Sequence, residues 1–178
     1  APSKQQQTTN TLINSQHMPT ISNLLPRRDA SNVLMDAHDG NMQLFDGRFF
    51  WYAMEYGNYT EGRTGCSNTS AHAAGFRSDH NVSVWSSSDL SDWKLETREA
   101  LPIAKRPSGI YYRPKVVRHP VTKQYILWVN YVQYPNVPNE LAFYLSATAN
   151  TPFGPFTVAE PNITMSQRHG KYGDFDLF

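Results

Sequence analysis

Asp36-Ala37-His38-Asp39-Gly40-Asn41-Met42-Gln43-Leu44-Phe45-Asp46-Gly47-Arg48-Phe49-Phe50-Trp51-Tyr52 is the stretch from which the fold is read. It opens on a polar knot of two carboxylates and a histidine. Asp46-Gly47 is a dipeptide favoured in tight hairpin turns, where both residues take positive φ. The run after it, Phe49-Phe50-Trp51-Tyr52-Ala53-Met54, is apolar at consecutive positions. That predicts a strand with both faces covered. A polar cluster just ahead of such a strand is where an all-β protein can hold a catalytic acid or base rigidly.

Downstream the text keeps to short apolar runs between turn residues. Asn58 to Asn81 is polar and rich in Gly and Ser, and predicts a long surface loop. Asn81-Val82-Ser83-Val84-Trp85-Ser86 alternates and reads as a strand. Ser88-Asp89-Leu90-Ser91-Asp92-Trp93 is a turn that returns Trp93 to the core, and Lys94 to Glu99 reads as a short outer strand. The pattern then recurs. Arg113-Pro114-Lys115-Val116-Val117 starts a strand, with the proline at a tolerated strand end. Thr122-Lys123-Gln124 turns into Tyr125-Ile126-Leu127-Trp128-Val129. Leu141 to Ser146 answers Val82 to Ser86, and Thr151-Pro152-Phe153-Gly154-Pro155-Phe156 answers the turn that ends in Trp93. Gly173-Asp174-Phe175-Asp176-Leu177-Phe178 reads as a third round beginning. Two similar units without helical periodicity predict an all-β fold built as a radial repeat. Propeller blades are four-stranded sheets of this kind. About two blades and the start of a third are expected here.

Residues 1–30 are polar and weakly periodic, and read as a leader or linker ahead of a domain over 31–178. Ile21, Leu24 and Leu25 are expected to tack its end onto the domain, and Arg27-Arg28-Asp29 to form a solvated turn. With 178 residues the chain suffices for one domain or a piece of a larger one. A net charge of +1 gives no field directed at nucleic acid or an acidic membrane. No apolar run approaches the roughly 20 residues of a membrane-spanning helix. The one cysteine, Cys66, has no internal partner for a disulfide. Four sequons, at Asn58, Asn68, Asn81 and Asn162, favour a secreted glycoprotein.

These phrases resemble glycoside hydrolase family 43 and its close relatives. Asp36 to Gly40 before Asp46 to Tyr52 resembles the family's opening. Ser86 to Trp93, Tyr112 to Val117, Thr151 to Phe156 and Gly173 to Phe178 follow in the family's order, over about Val33 to Phe178. The resemblance implies a five-bladed propeller with an axial sugar pocket, here incomplete, that hydrolyses with inversion. It implies an aspartate base on the first blade, an aspartate on the third that tunes the acid, and a glutamate acid on a later blade. Asp39 falls at the base position and Asp174 at the third-blade position, with Asp176 as its competitor. The glutamate is expected beyond Phe178. Galactanase-like members lack an aspartate at the first position and tend to carry an acid where Tyr112 stands. Both departures argue against their substrate.

Inverting hydrolysis needs one protonated carboxyl for the leaving oxygen and one carboxylate to activate water, about 6.5–9.5 Å apart. A neighbouring carboxylate raises the acid's pKa. Asp39 fits the base and Asp174 the neighbour, both facing a shared axial hollow. The structural alternative for Asp39 is an Asx-type turn or an ion pair. His38 is a candidate for a sugar hydroxyl or for Asp39. Arg113 is a candidate clamp, Tyr111 or Tyr112 a stacking aromatic, and Glu55 a minor substrate contact. Trp51, Trp85, Trp93 and Trp128 read as core. No spaced ligand set for a metal appears. No cofactor is required, and a structural calcium, known in some relatives, has no placed ligands. The expected partner is a carbohydrate. The reading is a secreted glycosidase acting on plant- or cell-wall-type glycans. The alternatives are a propeller that binds carbohydrate without cleaving it, or an inactive fragment.

Overall fold

The computed structural model describes residues 20–22, 24–55, 60–62, 65–67, 79–133, 142–164 and 175–177. The first sheet contains β1 (His38–Phe45), β2 (Arg48–Glu55), β5 (Asn81–Ser87) and β6 (Lys94–Thr97), in the order β1-β2-β5-β6. The second contains β7 (Gly109–Arg118), β8 (Tyr125–Gln133), β9 (Ala142–Ala149) and β10 (Thr157–Ile163), stacked in sequence order. All neighbouring strands in both sheets are antiparallel. A small hairpin of β3 (Thr60–Gly62) and β4 (Gly65–Ser67) lies within the stretch read as loop. The expected all-β architecture of two repeated four-stranded units is present.

Asp46 and Gly47 join β1 to β2 with φ of 49° and 79°, so both turn residues are left-handed. Strand β2 shows why its sequence lacks polar alternation. Phe50, Tyr52 and Met54 face the cluster between the sheets, while Ala53, Trp51 and Phe49 face a second cluster with Trp85 and Trp93. The two-residue period is intact, and each face meets apolar partners. Trp51 and Trp128 are half-buried rather than fully core.

The main core is the seam between sheets. Phe50, Tyr52, Met54, Val82 and Val84 meet Tyr111, Val116, Leu127, Val129, Tyr131 and Leu145 there. Full burial of each such large side chain contributes about 1.5–3 kcal/mol. Tyr52 also donates its hydroxyl to the Pro152 carbonyl at 2.6 Å, tying the first sheet to the turn before β10. At one end of the seam Phe45 meets Tyr125 edge-on at 5.1 Å. Arg118 there binds both oxygens of Asp46, at 2.9 and 3.0 Å. That ion pair is exposed and screened, so the aromatic seam outweighs it.

Several expectations are corrected. Leu24 and Leu25 are 89% and 71% exposed and do not tack the leader down. The attachment is made instead by backbone and charge. Met35 N–H donates to Arg27, Ala30 N–H donates to Trp93, and the Arg27 guanidinium lies 5.4 Å from the Trp51 ring. Pro114 is not at a strand end. It occupies a bulge between Tyr112 and Lys115, where a missing N–H costs no ladder bond. The supposed surface loop ends in buried structure, since His80 is 2% exposed and Asn81 begins β5.

Tyr52→Phe in the full-length protein should therefore cost about 1–2 kcal/mol, because the Pro152 carbonyl loses its donor. Urea denaturation checks it. The midpoint should fall with an unchanged slope.

Candidate functional site

β1 and β7 lie side by side and run the same way. Asp46 meets Arg118 at their ends, and Asp39 lies near Tyr112 at their starts. Each strand is bulged at its start, β1 between His38 and Asn41 and β7 between Tyr112 and Lys115. Each bulge holds a non-glycine residue in the left-handed region, Asp39 with φ 53° and Arg113 with φ 59°. The next residue explains the first bulge. A Cβ on Gly40 would lie 2.4 Å from Trp51 Nε1 and 2.6 Å from the Tyr52 carbonyl, so only glycine fits under the indole. The bulge turns Asp39 off the regular pleat, and its residue is exposed.

Tyr112 is half-buried beside it. Burial pushes its hydroxyl pKa up, Arg113 pulls it down, and the Tyr144 and Asp39 charges push it up again. The phenol thus stays protonated at neutral pH and available as a donor. The Arg113 guanidinium lies 5.1 Å from the Tyr112 ring. Asp39 and Tyr112, more than seventy positions apart in the chain, are therefore brought near one another, with Arg113 against the Tyr112 ring. Tyr111, the other stacking candidate, points the opposite way into the seam. It is 0% exposed, stacks on Tyr131 at 5.1 Å and donates to the Pro107 carbonyl, so it is no sugar platform.

His38 has an ion-pair partner within the same polar knot. Its Nε2 meets Asp36 Oδ1 at 3.0 Å, and the Asp36 side chain is only 9% exposed. A carboxylate opposite Nε2 requires a proton on that nitrogen. Glu55, at the end of β2, is buried. It accepts from Arg98 Nη1 at 2.5 Å and from Asn81 Nδ2 at 3.3 Å. Burial pushes its carboxyl above the ordinary 4.5 of a glutamate; Arg98 and Asn81 pull it back, and Asp36 adds to the rise. Glu55 is thus held inside a polar row across the end of the first sheet. Asp36, Arg98 and Asn81 were not read as site residues. Asp36 stood in the quoted stretch, but nothing local reveals which side chain His38 meets. Asn81 reads in the sequence as a strand start and a sequon, with nothing to pair it with Glu55.

Asp174 lies outside the described residues. Its neighbours are described. Phe175 meets the Tyr144 ring edge-on at 5.0 Å, and Asp176 binds Lys115 Nζ at 3.3 Å. The Leu177 N–H, then Lys115, holds the Asp176 carboxyl below its usual range. Phe175 and Asp176 thus meet side chains of β7 and β9 that face away from the seam. Asp176 already has a structural role there. Among the described residues no group of three or more His, Cys, Asp or Glu could hold a metal ion.

No family model matches the chain, and no curated protein matches it. Solved structures do. A GH43 β-1,3-galactosidase in complex with galactodeoxynojirimycin is similar over 76% of this chain and 36% of its own, with 22% identity and a TM-score of 0.57. An exo-β-1,3-galactanase of Phanerochaete chrysosporium is similar over 76% and 28%, with 24% identity and a TM-score of 0.58. An exo-β-1,3-galactanase of Clostridium thermocellum is similar over 79% and 27%, with 24% identity and a TM-score of 0.55. The likeness is one of fold. The fold is GH43-like, and the chain spans 36% or less of the length of these three structures.

The raised Glu55 pKa has a stability consequence. Between 4.5 and its value in the fold, the folded state binds more protons than the unfolded one. Stability therefore falls as pH rises through that window, and stays lowered above it. Glu55→Gln removes this component. The melting temperature of the variant relative to wild type should rise as pH is taken from below 4.5 to neutral. A pH-independent difference would show that Arg98 fully offsets the burial.

Proposed function

We propose that this chain is part of a secreted inverting glycoside hydrolase that acts on plant- or cell-wall-type oligo- and polysaccharides. The observation that carries the reading is the bulge in β1, which sets Asp39 near Tyr112, whose ring lies against the Arg113 guanidinium, in a chain with a GH43-like fold. In this reading Asp39 is the general base. Its carboxylate takes a proton from water as the water oxygen attacks the anomeric carbon. A glutamate outside residues 1–178 gives its proton to the leaving oxygen, and Asp174 raises that acid's pKa. Tyr112, kept protonated, donates to a sugar hydroxyl, and Arg113 positions the ring. His38, fixed by Asp36, and the buried Glu55 line the same end of the first sheet and are the further sugar contacts.

The β-1,3-linked galactose of the neighbours belongs in the substrate panel because the fold is shared. Asp39 at the first position and Tyr112 ahead of the Arg-Pro-Lys-Val phrase still separate this chain from the galactanase-like pattern.

Asp39→Asn in the full-length protein tests the assignment. Asparagine tolerates the left-handed backbone of this position, so the fold should persist. Hydrolysis of chromogenic glycosides and of β-1,3-galacto-oligosaccharides should fall about 10²–10⁴-fold, with the melting temperature nearly unchanged. Wild-type turnover in the variant removes Asp39 as base. Glycan binding without any hydrolysis by the wild-type protein would instead favour a carbohydrate-binding propeller.

A further inference from the structure

Two of the four sequons lie on described strands, and the fold treats their asparagines in opposite ways. Asn81 starts β5, inside the first sheet, where it pairs with Glu55 of β2. Its Nδ2, the atom a glycan would occupy, donates to Glu55 Oε2 at 3.3 Å. Its Oδ1 is buried. The other two sequon residues, Val82 and Ser83, are both 0% exposed. A sugar on Asn81 Nδ2 would crowd the buried Glu55 carboxylate that this nitrogen meets.

Asn162 sits on β10, which is an edge strand of the second sheet among the described residues. The residue is exposed. Its carboxamide is already divided. Oδ1 accepts from the hydroxyl of Tyr131, a side chain 2% exposed and stacked on Tyr111 in the seam. That bond holds the amide by its oxygen and leaves Nδ2 as the end for a substituent. Thr164, the third sequon residue, is exposed as well.

We propose that Asn162 carries an N-linked glycan and that Asn81, although it stands in a sequon, does not. The proposal rests on the secreted reading above. The co-reactant is a lipid-linked oligosaccharide pyrophosphate of the secretory membrane. Asn162 Nδ2 loses one proton and forms a bond to the anomeric carbon. The bond from that carbon to the pyrophosphate oxygen breaks, and the pyrophosphate leaves with the electron pair. The carbonyl Oδ1 is untouched, so the Tyr131 hydrogen bond survives. The glycan has a second effect. β10 is broken by register shifts at Val158/Glu160 and Glu160/Ile163, and an oligosaccharide at Asn162 further covers an edge open to strand addition.

The test uses the full-length protein made through the secretory pathway of a eukaryotic host. Enzymatic deglycosylation in heavy-oxygen water marks each formerly glycosylated asparagine as a labelled aspartate in peptide mass spectra. The expected result is label at Asn162 and none at Asn81. Thr164→Ala should remove one glycan from the intact mass and melt nearly as the enzymatically deglycosylated wild type does, because the Asn162 carboxamide of the variant and the aspartate the enzyme leaves both offer an oxygen to Tyr131. Ser83→Ala should leave the glycan mass unchanged. Secreted protein with unlabelled Asn162, or folded protein labelled at Asn81, overturns the proposal. Hydrolysis assayed on the same preparation reads the enzyme proposal separately. Protein retained inside the cell and unglycosylated overturns the secreted reading and this proposal together, whatever the hydrolysis.

Discussion

The burial of aromatic and aliphatic side chains between the two sheets is the constraint on which the rest depends. Phe50, Tyr52 and Met54 on one side and Tyr111, Leu127, Val129 and Tyr131 on the other lose water only when the sheets meet face to face. That contact fixes β1 beside β7. Polar contacts then refine the position. The Tyr52 hydroxyl ties into the Pro152 turn, and Arg118 ties to Asp46. Arg106 works at the opposite end of the seam. It is 9% exposed, its guanidinium lies 4.3 Å from the Tyr111 ring, and its Nη2 donates to the His80 carbonyl. A buried cation of this kind is tolerated because its protons meet carbonyl oxygens and its face meets an aromatic ring.

The candidate site is a consequence of that seam and of two local irregularities. A regular β1 would carry Asp39 along the pleat. The bulge at Gly40, where only glycine fits against Trp51 and the Tyr52 carbonyl, turns it out. The matching bulge at Pro114 places Arg113 in the same left-handed conformation on the neighbouring strand. The two units therefore repeat a backbone deformation as well as a strand order, while placing opposite charges on it. Around these residues the buried carboxylates are held by partners, Asp36 by His38 and Glu55 by Arg98 and Asn81. The two carboxylates are thus buried without isolated charge.

Much of this was legible in the chain. The Asp46-Gly47 turn, the doubly buried strand β2, the Asp89 turn and the return of Trp93 to the core all follow from local chemistry. The Asp89 carboxylate accepts from the Asp92 and Ser91 N–H groups and is lowered to about 2, as its turn position implies. What misled was equally local. Leu24 and Leu25 looked like anchors because they are apolar, but residue type does not say whether a partner surface exists. Pro114 looked like a strand end because a bulge is set by the partner strand. Tyr111 and Tyr112 are adjacent and chemically alike, and only the pleat decides which one enters the seam.

The sequence alone determined the all-β class, the two similar units and the concentration of ionisable groups ahead of the first aromatic strand. Those properties live in the two-residue period, in turn propensities and in repetition, all of which are short-range. Tertiary structure decided which groups meet. Asp39 beside Tyr112, His38 on Asp36, Arg98 on Glu55, and an Asn162 amide held by its oxygen are facts about register and sheet contact. Each is set by strands folding against one another over distances that no local pattern encodes.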